Sequence, residues 1–333
     1  MEFWKLKGNI GTMGRSVFCD LHKACKDMNN RDIQTGTRQN TIDAIERQVG
    51  DVDEGFTLVT HSGDWGIKKT ECKFTSTPVY AYNIESAAHG GVYLNLEIDS
   101  VINRASRWFM TNMHTFLHDK IYPIPLGVNH VHSGVTAVAN KNQTTNIDAD
   151  YWNNFDIEKI RSIKSSKLCY ANFTMTSPYR IRVAEWAWKQ QYIDCNFPKR
   201  YATQDVELNM PILRGTNLTI DKFMETLASY QFAIAPTGNG IDTFRTWECI
   251  LCNTVPVVRD HWMNRVFSRI WPMVLVGRYE FTNVFQAIND FYDKHGRINY
   301  DYSLLLEENF DKLLDRIQYE SDRLRRETLQ LES

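Results

Sequence analysis

Several things this 333-residue sequence does not have narrow what it can do. It has no surplus of either charge, since 38 Lys and Arg face 40 Asp and Glu. Nucleic-acid binders normally present a basic surface, and polybasic membrane anchors need a run of Lys and Arg. Neither class is expected. No apolar run approaches the ~18–20 residues that cross a bilayer. The opening MEFWKLKGNIGTMGR lacks the apolar stretch of a signal peptide. Seven Cys, an odd number without framework spacing, fit a reducing compartment. The expected location is therefore the cytoplasm, with the sequons at Asn142, Asn172 and Asn217 unused. Internal repeats and low-complexity tracts are also missing.

What is present reads as a folded globular chain, 43% hydrophobic and 23% charged, long enough for two domains. Aromatics reach 12%, which suits either stacking on sugar rings and nucleobases or a core rich in rings. Residues 1–50 are polar and show no readable period. Strands are expected at 57–61 and 78–84, with a turn at 62–64 between them. Residues 107–117 read as helix or loop, and 121–128 as a strand ending at Gly127. The polar stretch 129–155 reads as a linker. It divides an N-terminal domain, 1–150, from a second domain, 151–300.

The second domain alternates. Strands are expected at 167–172, 232–235, 254–258 and 272–276, and helices at 179–190, 220–230 and 242–252. Alternation of this kind implies a parallel sheet with crossover helices. Residues 301–333 are expected to add a C-terminal helix, highly charged on its exposed face.

The informative segment is Tyr230–Val258, YQFAIAPTGNGIDTFRTWECILCNTVPVV. It reads as strand, Gly-rich turn, helix, strand. In open α/β sheets ligands bind beyond the carboxyl ends of strands, where such turns lie. Gly238 and Gly240 permit close backbone approach, and the helix that follows points free N–H groups and its positive end at an anion. Asp242, Arg245 and Glu248 are spaced i, i+3, i+6, near one helix face. Arg245 could fork onto a phosphate, and Glu248 could accept from both ribose hydroxyls. Trp247, Ile250 and Leu251 fall elsewhere on the helix and are expected to pack on the sheet. The plain alternative is a structural turn with an ordinary surface ion pair.

This segment resembles the donor-binding signature of exostosin-like glycosyltransferases, P-x-G-x-G-x-D-x-x-R-x-W-E followed by P-V-V. Pro236, Gly238, Gly240, Asp242, Arg245, Trp247, Glu248 and Pro256 match it. HSGD at 61–64, Asn112 with Ile124-Pro125-Leu126-Gly127, and Asn172-Phe173 with Thr176, Pro178, Arg180 and Arg182 resemble further family elements. The resemblance covers roughly 57–260 and is nearest to compact soluble, virus-type members. It implies the GT-B architecture: α/β, two Rossmann-like domains with parallel sheets facing across a cleft. It also implies an inverting, metal-independent transfer of a sugar, xylose as a first guess, from a UDP-sugar to a glycan hydroxyl. No cofactor is expected. The implied donor site comprises Pro236, Gly238, Asn239, Gly240, Asp242, Arg245, Glu248, Arg180, Arg182 and Asn172. The acceptor side would lie on the N-terminal domain, with the C-terminal helix crossing back to it.

Direct displacement requires a group to take the acceptor's proton. Asp64, just past the strand 57–61, is the first candidate and His61 the second, with Glu85 behind them. The competing role for Asp64 is capping a helix or turn that starts near Trp65. Asp51-x-Asp53 and Asp148-x-Asp150 formally match a metal-binding Asp-x-Asp but lie in polar stretches without a strand before them. Cys249 and Cys252 lack a second pair at zinc spacing. His130 and His132 read as ordinary loop histidines. Two rivals remain: a non-catalytic glycan- or nucleotide-binding module on the same fold, and a nicotinamide-dependent dehydrogenase. The latter is disfavoured because G-x-G at 238–240 lacks a third Gly and no acidic residue ends the next strand.

Overall fold

The computed structural model describes residues 11–13, 16–20, 49–50, 52–61, 65–72, 79–86, 99–113, 118–128, 155–175, 177–197, 218–238 and 240–332. The chain groups into two compact units. One takes in Lys5–Leu126, Asn239–Asp242 and Leu314–Ser333, and is called here the amino unit. The other takes in Met1–Trp4, Gly127–Gly238 and Thr243–Leu313, and is called the carboxyl unit. Each is a mixed α/β body around a sheet that is mostly or wholly parallel.

In the amino unit, strands β1 (Gly11–Met13), β2 (Ser16–Asp20), β3 (Phe56–His61), β6 (Ala105–Met110) and β7 (Ile121–Pro123) form one sheet in the order β1-β2-β3-β6-β7. Only β1 and β2 run antiparallel. A separate antiparallel hairpin is made by β4 (Trp65–Cys72) and β5 (Val79–Ser86). Helix α1 (Asp99–Arg104) leads into β6. Of the helix or loop expected at 107–117, residues 107–110 are strand instead, 111–113 are turn and loop as expected, and 114–117 lie outside the described residues. Trp108, Phe109 and Met110 are all buried between β3 and β7, and a strand covered on both faces shows no alternation. Two threonines of β3 are buried with partners: Arg107 Nε donates to Thr57 Oγ1 at 3.0 Å, and Trp108 Nε1 to Thr60 Oγ1 at 2.9 Å. The strand expected to run to 128 stops at Pro123.

In the carboxyl unit, β8 (Lys167–Ala171), β9 (Ile193–Cys195), β10 (Tyr230–Ile234), β11 (Val255–Arg259) and β12 (Val274–Val276) form an all-parallel sheet ordered β12-β11-β10-β8-β9. From β8 the chain steps outward to β9. From β10 onward it steps the other way. The order therefore reverses between β8 and β10. Helices α2 (Ile157–Arg161), α3 (Pro178–Trp188), α4 (Ile220–Ala228), α5 (Phe244–Leu251), α6 (Trp262–Ser268) and α7 (Val284–His295) accompany these strands.

The helix starts follow capping chemistry. Ser177 before Pro178, Thr219, and Asn283 each accept a backbone N–H from three residues on. Gly296, at φ +62°, closes α7. Pro256 sits in β11 where the lost donor is not needed. Ala235 N bonds Val257 O, so residue 257 faces β10 and residue 256 faces the β12 side, where pairing begins only at Val257. The last helix, α8 (Phe310–Glu332), starts later than expected because 303–305 and 307–309 are 3₁₀ turns. From Leu314 onward α8 groups with the amino unit. There Arg325 donates to the carbonyls of Asp119 and Ile121 and lies 4.8 Å from the Tyr122 ring centroid.

Candidate functional site

The reversal of strand order between β8 and β10 marks where an open α/β sheet leaves a crevice past its carboxyl edge. Three segments of the carboxyl unit meet there: Asn172–Met175 after β8, Ala235–Gly238 after β10, and the first turn of α3.

Arg180 ties these segments together. Its buried guanidinium donates from Nε to Thr237 O at 3.0 Å, from Nη1 to Thr174 O at 3.0 Å and from Nη2 to Pro236 O at 3.2 Å. A side chain on Gly238 would start 2.8 Å from Arg180 Nη2, so the glycine is required by close approach. Arg180 was expected on a diphosphate; in the structure these donors hold the loop. Arg182, one half-turn on, is exposed and pairs with Glu280 at 3.7 Å. Asn172 is half-buried, and its Nδ2 donates to Tyr170 Oη at 3.1 Å.

The candidate ligand-binding pair, Arg245 and Glu248, lies on α5. Its first residue is Phe244, so Asp242 precedes the helix and does not share the face of Arg245 and Glu248. That expectation is corrected. Arg245 Nε and Glu248 Oε2 are 3.6 Å apart, and their side chains are 9% and 2% exposed. This is a buried pair, which removes the alternative of a surface ion pair. The Arg245 guanidinium stacks on Phe223, 4.1 Å from the ring centroid. Arg245 Nε and Nη1 and Glu248 Oε1 have no hydrogen-bond partner among the described residues. Burial pushes the Glu248 carboxyl above the usual carboxylate range, and the Arg245 charge only partly opposes this. Buried polar atoms left unmatched cost roughly 1–3 kcal/mol each. Three together on one helix turn are what a hydrogen-bonding ligand would satisfy.

Tyr170, which the sequence reading did not single out, belongs to the same place. Its hydroxyl accepts from Asn172, its ring stacks on Tyr230 at 4.7 Å, and the Arg245 charge reaches its hydroxyl. The only sequence signal for it was its position near the end of β8.

The rest of α5 is core. Trp247 packs edge-on to Phe267 and Trp271, at 5.2 and 5.3 Å, so it faces α6 as well as the sheet. Ile250 and Leu251 are fully buried, and so are the free thiols of Cys249 and Cys252. Thr254 donates its hydroxyl to Leu227 O at 2.9 Å and Tyr230 O at 3.2 Å.

Within the amino unit, the segment 240–242 has its own anchors. Asn112 adopts φ +54°, and its Oδ1 accepts from Asp242 N at 2.9 Å. Asp242 Oδ2 accepts from Leu126 N at 2.6 Å, just before Gly127 turns the chain at φ +74°. Asp242 thus serves the loop, and a carboxylate accepting a main-chain N–H suits that role.

His61 ends β3, in register with Asp20 of β2, at the carboxyl end of the central strand. Asp64, Asn239, Asp51, His130, His132, Asp148, Asp150, Asn142 and Asn217 lie outside the described residues. Trp65 starts a strand, so the alternative in which Asp64 caps a helix beginning there does not hold. Glu85 pairs with Gly66 in the hairpin and so is not part of the parallel sheet. Asp53 is exposed.

No protein-family model matches the chain, and no curated protein matches it either. Solved structures similar to it include two nucleotide complexes. One is an α1,3-fucosyltransferase with GDP, 13% identical, covering 66% of this chain and 70% of that one, with a TM-score of 0.33. The other is the trehalose-6-phosphate structure from E. coli bound with UDP-2-fluoro glucose, 9% identical, covering 88% and 65%, with a TM-score of 0.30. Among the described residues no helix is long and apolar enough to cross a membrane.

Proposed function

We propose that this chain is a glycosyltransferase of the GT-B, exostosin-like type that uses a nucleoside diphosphate sugar. The observation that carries the reading is the buried Arg245–Glu248 pair with its three unmatched polar atoms, on the helix that follows β10, the strand beside the reversal of strand order. Arg245 supplies N–H donors to a phosphate oxygen, and Glu248 accepts from ribose hydroxyls. The resemblance of Pro236–Glu248 to the family's donor signature supports the assignment, with uracil as the base and xylose as the first sugar to try. Asn172 and Tyr170 line the same edge, while Arg180 and Asp242 shape the loop.

The reading extends to an inverting, metal-independent transfer to a glycan hydroxyl in the cytoplasm, with Asp64 or His61 as the base. The test is calorimetric titration of the whole chain with UDP, GDP, dTDP and their sugars. Arg245→Ala and Glu248→Ala should each weaken the preferred nucleotide by ten- to a hundredfold, or ~1.4–2.8 kcal/mol. Unchanged affinity in both folded variants would remove the site. Binding without sugar transfer to any of a panel of glycan acceptors would leave a nucleotide-binding module instead.

A further inference from the structure

A second polar cluster lies on the carboxyl edge of the same sheet, at β11 and β12 rather than at β8 and β10. Arg259 is the last residue of β11 and pairs in register with Val276, the last of β12. Arg278 follows two residues later, so the two arginines leave neighbouring strand ends together. The first turn of α3 reaches this place as well. Arg182 Nε lies 3.7 Å from Glu280 Oε1, and the Arg182 guanidinium is 6.0 Å from the Tyr179 ring centroid. Farther along α3, Trp186 meets Tyr279 at 5.6 Å, which seats the helix against the loop after β12.

Three features of this cluster are unexplained by the fold. The guanidinium groups of Arg259 and Arg278 are exposed and make no hydrogen bond or ion pair among the described residues. The Tyr179 hydroxyl is buried without a partner, as is Glu280 Oε2. The charges of Arg182, Arg259, Arg278 and Glu280 all reach the Tyr179 phenol. Burial raises the Tyr179 phenol to about 12, the Glu280 charge adds to the rise, and the charges of Arg259, Arg182 and Arg278 oppose it. Three guanidinium groups against one carboxylate leave two positive charges over. A phenol that stays protonated is a donor, and a buried carboxylate oxygen is an acceptor.

We propose that Tyr179, Arg182, Arg259, Arg278 and Glu280 form a binding site for a phosphate ester that also carries a hydroxyl. The phosphate dianion takes the donors of Arg259, Arg278 and Tyr179 and neutralises the excess charge. The neighbouring hydroxyl of the ester donates to Glu280 Oε2. Arginine suits the first role because its planar fork matches phosphate oxygens. The ester can come from two sources: the nucleotide donor itself, or a separate phosphorylated sugar or polyol that serves as acceptor or effector. The proposal rests on the sheet-edge geometry, and the nucleotide reading above enters only through the first source.

The experiment is calorimetric titration of the full chain with inorganic phosphate, glycerol 1-phosphate, glycerol, UMP and uridine. Saturable binding of glycerol 1-phosphate but not glycerol is expected. Arg259→Ala/Arg278→Ala should weaken it at least tenfold, and Tyr179→Phe severalfold. Both sets of positions are at the surface or keep their ring, and an unchanged thermal melt checks that they fold. Glu280→Gln separates the two halves of the site: bare phosphate should bind more tightly, and the ester should lose its advantage over bare phosphate. If the double variant also loses UMP relative to uridine, the nucleotide is the source. If it keeps UMP and loses glycerol 1-phosphate, the source is a separate ester. Absence of saturable phosphate binding, or binding unchanged in the folded double variant, overturns the proposal. Failure of UDP to bind the wild type, with glycerol 1-phosphate still bound, overturns the nucleotide reading and leaves this site standing.

Discussion

Asn112 occupies the space that a side chain at Gly240 would need: a Cβ there would lie 2.4 Å from Asn112 Oδ1 and 2.5 Å from Nδ2. Asn112 is fully buried at φ +54° and bonded to Asp242 N, so it has little room to give way. Gly240→Ala is therefore expected to cost ~1–3 kcal/mol, the usual range for overpacking. In an Asn112→Gly background, which tolerates the same φ and opens the space, the added cost of the alanine should shrink to a few tenths. A double-mutant cycle by urea denaturation reads the coupling. Additive costs would show that the contact is not what makes Gly240 necessary.

Arg180→Met keeps most of the side-chain volume and removes three hydrogen bonds to buried carbonyls. It should destabilise the chain by more than about 2 kcal/mol, since each abandoned acceptor costs roughly 1–3 kcal/mol. Lysine offers a point charge without the fork and should restore only part of this. Guanidinium chloride unfolding of both variants gives the comparison, and a methionine variant as stable as the wild type would contradict the role.

Nucleotide affinity should depend on the ionisation of Glu248. Its carboxyl is raised by burial, so it begins to take a proton above the ordinary carboxylate range as pH falls. Affinity for UDP is expected to decline through that window, and Glu248→Gln should be weak and flat in pH. The stability effect has the opposite sense. A raised pKa means this group's contribution is fully present below its unfolded value and is lost as pH rises through its folded value. In the wild type, titrations of binding and of unfolding against pH should therefore show this group's contribution moving in opposite directions, and in Glu248→Gln that contribution should be gone from both.

Transfer is expected to continue in excess EDTA, with Arg245 and the start of α5 supplying the positive field that a metal supplies elsewhere. Loss of turnover in EDTA and its return with Mn²⁺ would contradict this.

The proton acceptor is tested by Asp64→Asn. As base, Asp64 should account for at least ~10²-fold in kcat, while UDP affinity stays near the wild-type value. A merely structural role would instead lower stability and spare turnover. Near-normal kcat would move the assignment to His61.

The carboxyl unit was the more legible of the two in sequence, for physical reasons. Its strands and helices alternate, and Arg180, Gly238, Arg245 and Glu248 stand out together with the adjoining Gly240 and Asp242. What sequence could not show was the partition of labour inside that set. Arg180 and Asp242 look as ligand-ready as Arg245, yet their partners are main-chain groups of segments distant in sequence. Periodicity carries no information on such partners. The amino unit resisted reading because β3 and the buried end of β6 show no alternation, with polar Thr57 and Thr60 among the core residues and half-buried Arg107 beside them. Arg259 and Arg278 drew no attention because strand register alone brings them together.

Pro256 has a consequence beyond its own strand. It denies the neighbouring edge strand a donor at the rung before Val257. A slip of β12 toward that end would ask for a bond that proline cannot form, so the imino ring works as a register stop. Where β12 halts decides where Gly277 and Arg278 emerge, and hence whether Arg278 stands beside Arg259. Replacing Pro256 with valine would free the edge strand to slide, and the separation of those two guanidinium groups would be the first thing to change.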